Sequence, residues 1–445
     1  MYLLSNLQTK STVYFNILLA VIPISFIAGN MIININILLL ILSTFLIFKK
    51  ETFTIEFKLI DKLIFLFFLL ILTSSALSDY YFYSKGLFHE TKHGLGYLTT
   101  TVKSILFFKY LFLYLVVRFL VEKNHISLEK FFISCAVCSL FVSFDIFYQF
   151  IFGTDIFGFG IVEGSRKLGG PFGDELIAGS FIQRFSLFTF FLLPIYFGEK
   201  KINKYLKFLL PIIFMVFSAA IILAGNRMPL VLFIFTFFLI FLFQKEVRKF
   251  FFHFIIIFVL IFTFLINLNS NIKNNFKNFY ISISSMVTVY FDDKQNTKAL
   301  SHLQEFNTFY DTWLMHKYIG GGIKNYRYFC HARPNAEKND QAVCNMHPHN
   351  YYLEILTETG LAGFLIVSAI MLLTLYDTFF KKYIFKNSLL DNKIIIPFIF
   401  LFCAEIFPIK STGSFFTTGN TTYIFLILAI LIALSRKENL IEKKI

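Results

Sequence analysis

Long apolar runs, many of them close to 20 residues and parted by short basic segments, dominate this sequence. A hydrocarbon slab about 30 Å thick selects runs of that length, since a helix rises about 1.5 Å per residue and satisfies its own backbone hydrogen bonds. Only 15% of the 445 residues are charged and 57% are hydrophobic, against about 25% charged in a typical soluble domain. So little polar surface cannot cover a globule in water. The expected fold is all-α, a polytopic transmembrane helical bundle. The 64 phenylalanines add bulk to the runs without pointing to a function.

About twelve spans are expected, at roughly 13–29, 31–48, 61–77, 104–121, 131–152, 177–197, 206–223, 228–243, 250–267, 352–376, 393–409 and 421–435. The shorter ones need tilt or local thinning of the bilayer. The formal charge of +14 is spread between the runs, which fits membrane orientation and not a nucleic-acid partner. With the N-terminus in the cytoplasm, the inside segments carry Lys49, Lys50, Lys58 and Lys62, then Arg118, Lys123 and Lys130, then Lys200, Lys201, Lys204 and Lys207. Further along come Lys245, Arg248 and Lys249, then Lys381, Lys382, Lys386 and Lys393, and a basic tail from Arg436. Both termini then lie inside. The segment with Lys85, Lys92 and Lys103 fits this alternation least well. The first apolar run lacks a small-residue cleavage site, so no cleavable signal peptide is expected.

Three parts follow: spans one to nine over 1–267, a large outer loop domain over 268–351, and 352–445 with three spans and a cytoplasmic tail. The loop holds five of the nine histidines and the single tryptophan, Trp313. Leu300, Leu303, Phe306, Phe309, Tyr310, Trp313 and Leu314 recur at helical spacing, which predicts an amphipathic helix over 297–318. Gly320, Gly321 and Gly322 should stop it. Cys330 and Cys344 share the loop and can close a short disulfide if that side is oxidising. Cys135, Cys138 and Cys403 lie in apolar runs and read as buried thiols.

The densest polar constellation is HPHNYYLEILTETGLAG, His347 to Gly363. Asn350 is placed to cap the following helix, which sets His349 beside a helix N-terminus, where the dipole disfavours imidazolium. A neutral imidazole can serve as a general base. The competing reading is that His347 and His349 only flank a helix start. Gly360 and Gly363 share a face and would allow close helix contact. A second motif, AGNRMP from Ala224, has Asn226 as a cap and Arg227 beside a helix N-terminus, a setting that suits a phosphate or diphosphate. Arg227 could equally snorkel to headgroups. A third, SRKLGGPFGD from Ser165, brings Arg166, Lys167 and close backbone approach, or is simply a surface loop. Arg184, Asp145 and Glu405 fall within apolar runs, where ionisable groups face a cavity or pair with each other, as Asp145 with Arg184 would. Lys410 opens the polar stretch KSTGSFFTTGN. No compact ligand set for a metal and no P-loop is present, so neither metal nor nucleotide cofactor is expected.

Together these motifs resemble the O-antigen ligase/polymerase superfamily of bacterial envelope enzymes. The likeness rests on HPHNYYLEILTETGLAG, supported by AGNRMP, SRKLGGPFGDELIAG, HKYIGGGIKNYRYFC leading to Cys344, and PIKSTGSFF, all between about 165 and 416. Asp174 and Glu175 stand where the family pattern has an Asn before the Leu, so they take no role by analogy. The resemblance implies a metal-independent glycosyltransferase at the outer face of the inner membrane. Its donor would be a glycan on undecaprenyl diphosphate and its acceptor a lipid A-core or similar hydroxyl. His349 corresponds to the family's histidine before Asn, thought to activate the acceptor. Arg227, and less directly Arg166 or Arg184, correspond to its diphosphate-side arginines, with Lys167, His347, Asn350 and Lys410 as further substrate-side groups. A polysaccharide polymerase uses the same chemistry. A glycolipid flippase is the alternative from another class and requires polar groups through the midplane, whereas here they crowd the outer half.

Overall fold

Asp61 and Asp79 mark the two polar ends of the molecule, eighteen residues and roughly 27 Å apart on one helix. That spacing matches a bilayer's hydrocarbon thickness. A computed structural model describes residues 10–84, 99–162, 167–244, 248, 250–291, 301–333, 344–345, 347–384, 394–410 and 413–442. Among these the structure is helical, with one isolated β-bridge between Thr154 and Gly160.

The helices are α1 (Lys10–Ala28), α2 (Asn30–Phe48), α3 (Leu59–Ser84), α4 (Thr99–Phe107), α5 (Lys109–Glu122) and α6 (Glu129–Phe152). Then come α7 (Ala178–Phe185), α8 (Leu187–Leu223), α9 (Arg227–Phe243), α10 (Phe251–Leu268) and α11 (Ser270–Phe291). The chain finishes with α12 (Ser301–Met315), α13 (Tyr326–Ala332), α14 (Tyr351–Leu375), α15 (Ile395–Glu405) and α16 (Thr418–Glu442). Among the described residues, six helical segments are long and apolar enough to cross a membrane: Asn30–Phe53, Leu59–Ser84, Thr99–Glu122, Glu129–Phe152, Tyr351–Lys381 and Thr418–Lys437. α10 and α11 pass that test only as a pair bent by 114°. Thr12–Ala28, Leu209–Leu223, Arg227–Phe243 and Ile395–Glu405 are apolar but shorter. The chain is therefore a multi-pass helical membrane protein, and the described residues of 268–351 include three helices, α11 to α13.

Two elements depart from simple spans. α8 is helical throughout, yet the rings of Phe190 and Phe217 lie 6.0 Å apart. In a straight helix they would stand about 40 Å apart, so α8 doubles back on itself. The second departure is in α14, where Gly360 takes φ 68° and ψ −172° and breaks the helix. The orphaned carbonyls of Thr357 and Glu358 accept from Gly321 N (3.0 Å) and Gly322 N (2.9 Å). On the other side of the break, Leu361 N and Ala362 N donate to Lys317 O (2.8 Å) and Tyr318 O (3.0 Å). The triple glycine thus does more than end α12, which stops at Met315: it supplies backbone partners for a broken helix. Gly360 was expected to allow helix–helix packing. It is instead the break itself, and a β-carbon there would sit 2.3 Å from the Tyr318 carbonyl carbon.

Packing follows the sequence pattern. α16 is buried from Tyr423 to Ala433 and packs through rings such as Phe68–Phe425, 5.4 Å between centroids. Leu42, Phe252, Leu260 and Phe264 point outward, as lipid-facing side chains do. At the Asp61 end, one carboxylate accepts from Tyr114 Oη (2.5 Å), Arg118 (2.5 Å) and Arg436 (2.8 Å), tying α3, α5 and α16 together. At the other end, Asp79 caps α4 by accepting from Thr100 N (3.2 Å) and Thr101 N (2.7 Å). The candidate site lies at this second end.

Candidate active site

The turn before α14 is built by Asn350. Its side chain accepts from Tyr352 N (2.9 Å) and Leu353 N (3.2 Å), and its amide donates to Pro408 O (2.8 Å). The cap expected from sequence is present, and it also joins the start of α14 to the segment after α15. His349 stands on this turn with its side chain 46% exposed and Nε2 3.9 Å from Glu305 Oε1, too long for a hydrogen bond. The His347 ring packs edge-on at 5.3 Å. Burial, and then the charges of His349 and Arg327, push His347 below its ordinary imidazole pKa.

Immediately beneath lies a buried ionic cluster. Glu405 accepts from Arg184 Nη2 (2.8 Å) and Nε (3.3 Å), and from Lys410 Nζ (2.5 Å). Tyr351 Oη donates to Glu405 (3.0 Å) and receives from Arg184 (3.3 Å) and Lys410 (3.2 Å). The sequence suggested Asp145 as a partner for Arg184. Asp145 instead accepts from Ile156 N at 2.8 Å, anchoring the loop after α6, so the expected pair does not form. Two cations face one carboxylate in a site closed to solvent, which leaves an excess of positive charge. Burial drives the Lys410 amine down to about 8, although Glu405 pulls it upward.

Asn226 also departs from expectation. It occupies the N-cap position of α9, but its side chain makes no cap bond. Its oxygen accepts from Gly179 N (3.1 Å) and its amide donates to Leu176 O (2.9 Å). A β-carbon on Gly179 would lie 2.7 Å from that oxygen, so only glycine allows the approach. Asn226 therefore clamps the AGNRMP segment to the start of α7. Five residues farther along α7, about 7.5 Å, is Arg184. One short helix thus links the Arg227 segment to the Tyr351–Glu405 cluster.

Arg227 is held by Asn275 of α11: Nε donates to its side-chain oxygen (2.7 Å), while the Asn275 amide donates to Gly225 O (2.9 Å). The guanidinium also sits 5.6 Å from the Phe279 ring centre. Lys167 is half-buried, and burial followed by the nearby charge of Arg227 lowers its pKa. Arg166 lies outside the described residues. Cys330 and Cys344 are joined in a disulfide with their α-carbons 5.8 Å apart, next to Phe309 and Tyr326.

Several participants escaped the sequence reading. Asn275 sits in a polar helix with no motif around it, and nothing local announces that it meets Arg227. Glu354 is fully buried and accepts from Ser414 Oγ (2.5 Å) and Phe415 N (2.5 Å), which pins the KSTGSFF stretch to α14. Its position inside the HPHNYYLE motif was the available signal. Tyr351 stands in the same motif and took no role in the sequence reading.

In comparison with known families, residues 212–368 fit the O-antigen ligase family model. That stretch contains Arg227, Asn275, both bonded cysteines, His347, His349 and Asn350, but not Lys167, Arg184 or Lys410. No curated protein matches the sequence.

Proposed function

With residues 212–368 assigned to the O-antigen ligase/polymerase superfamily, we propose that the protein is a glycosyltransferase. It moves a glycan from undecaprenyl diphosphate to an acceptor hydroxyl, of lipid A-core or a similar glycan, at the periplasmic face of the inner membrane. On this reading both termini are cytoplasmic, and 268–351 is an outer domain between the spans of 1–267 and 352–445. The observation that carries the reading is the placement of Tyr351. It stands two residues from the exposed His349 and touches both buried cations, Arg184 and Lys410. A base and an excess of positive charge thus flank a single turn.

The chemistry follows from that arrangement. His349 takes the proton of the acceptor hydroxyl, whose oxygen attacks the anomeric carbon of the donor sugar. The bond from that carbon to the diphosphate oxygen breaks, and the electron pair leaves with the diphosphate. Arg227, Lys167 and, through the buried cluster, Arg184 and Lys410 offset the charge that develops there. Asn350 fixes the turn that carries the base. The donor is already activated, so its own leaving group supplies the driving force.

The test substitutes His349→Ala and Arg227→Ala, verifies that each variant is present in the membrane, and analyses envelope glycans. Loss of transfer with carrier-linked donor accumulating outside is the expected result. Normal transfer in both variants would sink the mechanism, and donor trapped inside would indicate a flippase. A lost ligase leaves full-length unattached chains, a lost polymerase attached single units.

A further inference from the structure

Lys103 of α4, Lys324 after the triple glycine, and Arg327 of α13 converge at the same end of the bundle, outside the set of cations described above. Lys103 lies in the field of both Arg327 and Lys324, with its ammonium 5.9 Å from the Tyr328 ring centre. The turn that carries the other two is firmly held. Lys324 N donates to Glu358 (2.7 Å), and the Asn325 amide donates to Ser78 Oγ (2.8 Å) and Gly321 O (2.9 Å). Lys324 itself takes φ 55°, a left-handed conformation that a lysine adopts only when its surroundings impose it.

Asp79 and Glu358 act on Lys103, and Glu358 and Glu354 act on Lys324, yet none of these carboxylates is in direct ion-pair contact with the group. Both oxygens of Asp79 are taken by Thr100 and Thr101. Glu358 spends one oxygen on the Lys324 backbone, and its other oxygen is buried without a partner. Among the described residues, none of the three cations makes an ion pair within 4 Å, and Arg327 Nε is buried with no acceptor. Three like charges held half out of water with donors unused suit an oxyanion, which would both satisfy the donors and offset the charge.

We infer that Lys103, Lys324 and Arg327 bind a phosphate carried by the acceptor glycolipid. The oxyanion site stands on the cluster alone; its assignment to the acceptor rests on the transferase reading. Arg327 is near enough to His347 for its charge to act on that ring, whereas Arg227 and Lys167 share a field of their own. Two cation groups thus serve two anionic substrates, and the one beside the imidazoles serves the molecule that gives up a proton.

The test measures binding of three lipids to the purified full chain in detergent: lipid A with its phosphates, dephosphorylated lipid A, and undecaprenyl diphosphate. Each charge-assisted contact is worth about 1.5–3 kcal/mol, so K324Q/R327Q, which removes two, should bind phosphorylated lipid A more weakly by roughly 100-fold or more. Binding of the other two lipids should be unchanged. Lys103→Gln, on a separate helix, should shift binding in the same direction, and Lys324→Arg should retain it. Equal binding of both lipid A forms by the unaltered protein would overturn the inference. So would unchanged binding by all the Gln variants. An equal loss for undecaprenyl diphosphate would assign the cluster to the donor and overturn the acceptor assignment. Absence of glycan transfer by the unaltered protein would sink the enzyme reading while leaving the oxyanion site standing.

Discussion

Arg184 on α7 and Glu405 at the end of α15 meet 221 residues apart in sequence, joined by two hydrogen bonds of 2.8 and 3.3 Å in a site closed to water. Lys410 shares the same carboxylate, so Glu405 is the anion that permits both cations to be buried. Glu405→Ala should destabilise the protein by about 3–5 kcal/mol, since it leaves uncompensated buried charge. Thermal unfolding in detergent checks this, and removing Lys410 as well, as Lys410→Met, should recover part of the loss.

Lys410 gives a pH signature. Its amine is held at about 8 in the folded protein against an ordinary value of 10.5. Between those values the unfolded chain binds the extra proton, so this group favours folding more as pH rises through that window. A diphosphate nearby favours the charged amine. Donor affinity should therefore fall as pH rises through about 8, and Lys410→Arg should flatten the profile. Titration of undecaprenyl diphosphate binding between pH 6 and 10 measures it, and identical profiles for the two proteins would count against the role of Lys410.

Asn275 is a positioning residue for Arg227. Asn275→Ala removes the hydrogen bond at Nε of Arg227, and we expect donor KM to rise about 10-fold with kcat nearly constant, the cost of one charge-assisted hydrogen bond. Asn275→Asp should restore most of it, because a carboxylate also holds arginine. A proportional fall in kcat alone would argue for a general structural defect instead.

Gly360 tolerates no side chain. Its φ of 68° and the 2.3 Å approach to Tyr318 mean that Gly360→Ala should cost upwards of about 2 kcal/mol. Hydrogen exchange at Gly321 and Gly322, whose amides bridge the break, should accelerate in the variant. Unchanged exchange there would show that the bridge does not depend on the break.

The disulfide closes a separation of 14 residues, which the loop-entropy account values at about 3 kcal/mol. Reduction, or a Cys344→Ser change, should open the 301–350 region to limited proteolysis while the helical bundle stays intact. Cleavage at unchanged rates would show that packing around Phe309 and Tyr326 suffices.

The length of the apolar runs determined, from sequence alone, that the chain is a helical bundle in a membrane, because a helix of about 20 residues spans the hydrocarbon and satisfies its own backbone hydrogen bonds there. Local chemistry likewise determined the Asn350 cap, whose side chain reaches only its own next turn. Tertiary structure decided what local chemistry leaves degenerate. Asp145 and Glu405 were both buried carboxylates available to Arg184, and only the register of helices far apart in sequence selects between them. Asn226 could cap its own helix or clamp another, and the close approach of Gly179 settled which. The break at Gly360 depended on a second backbone, residues 317–322, arriving to take up the hydrogen bonds that the helix gave up. Pairing across the fold sets these outcomes, and the geometry of pairing is not written in any one segment.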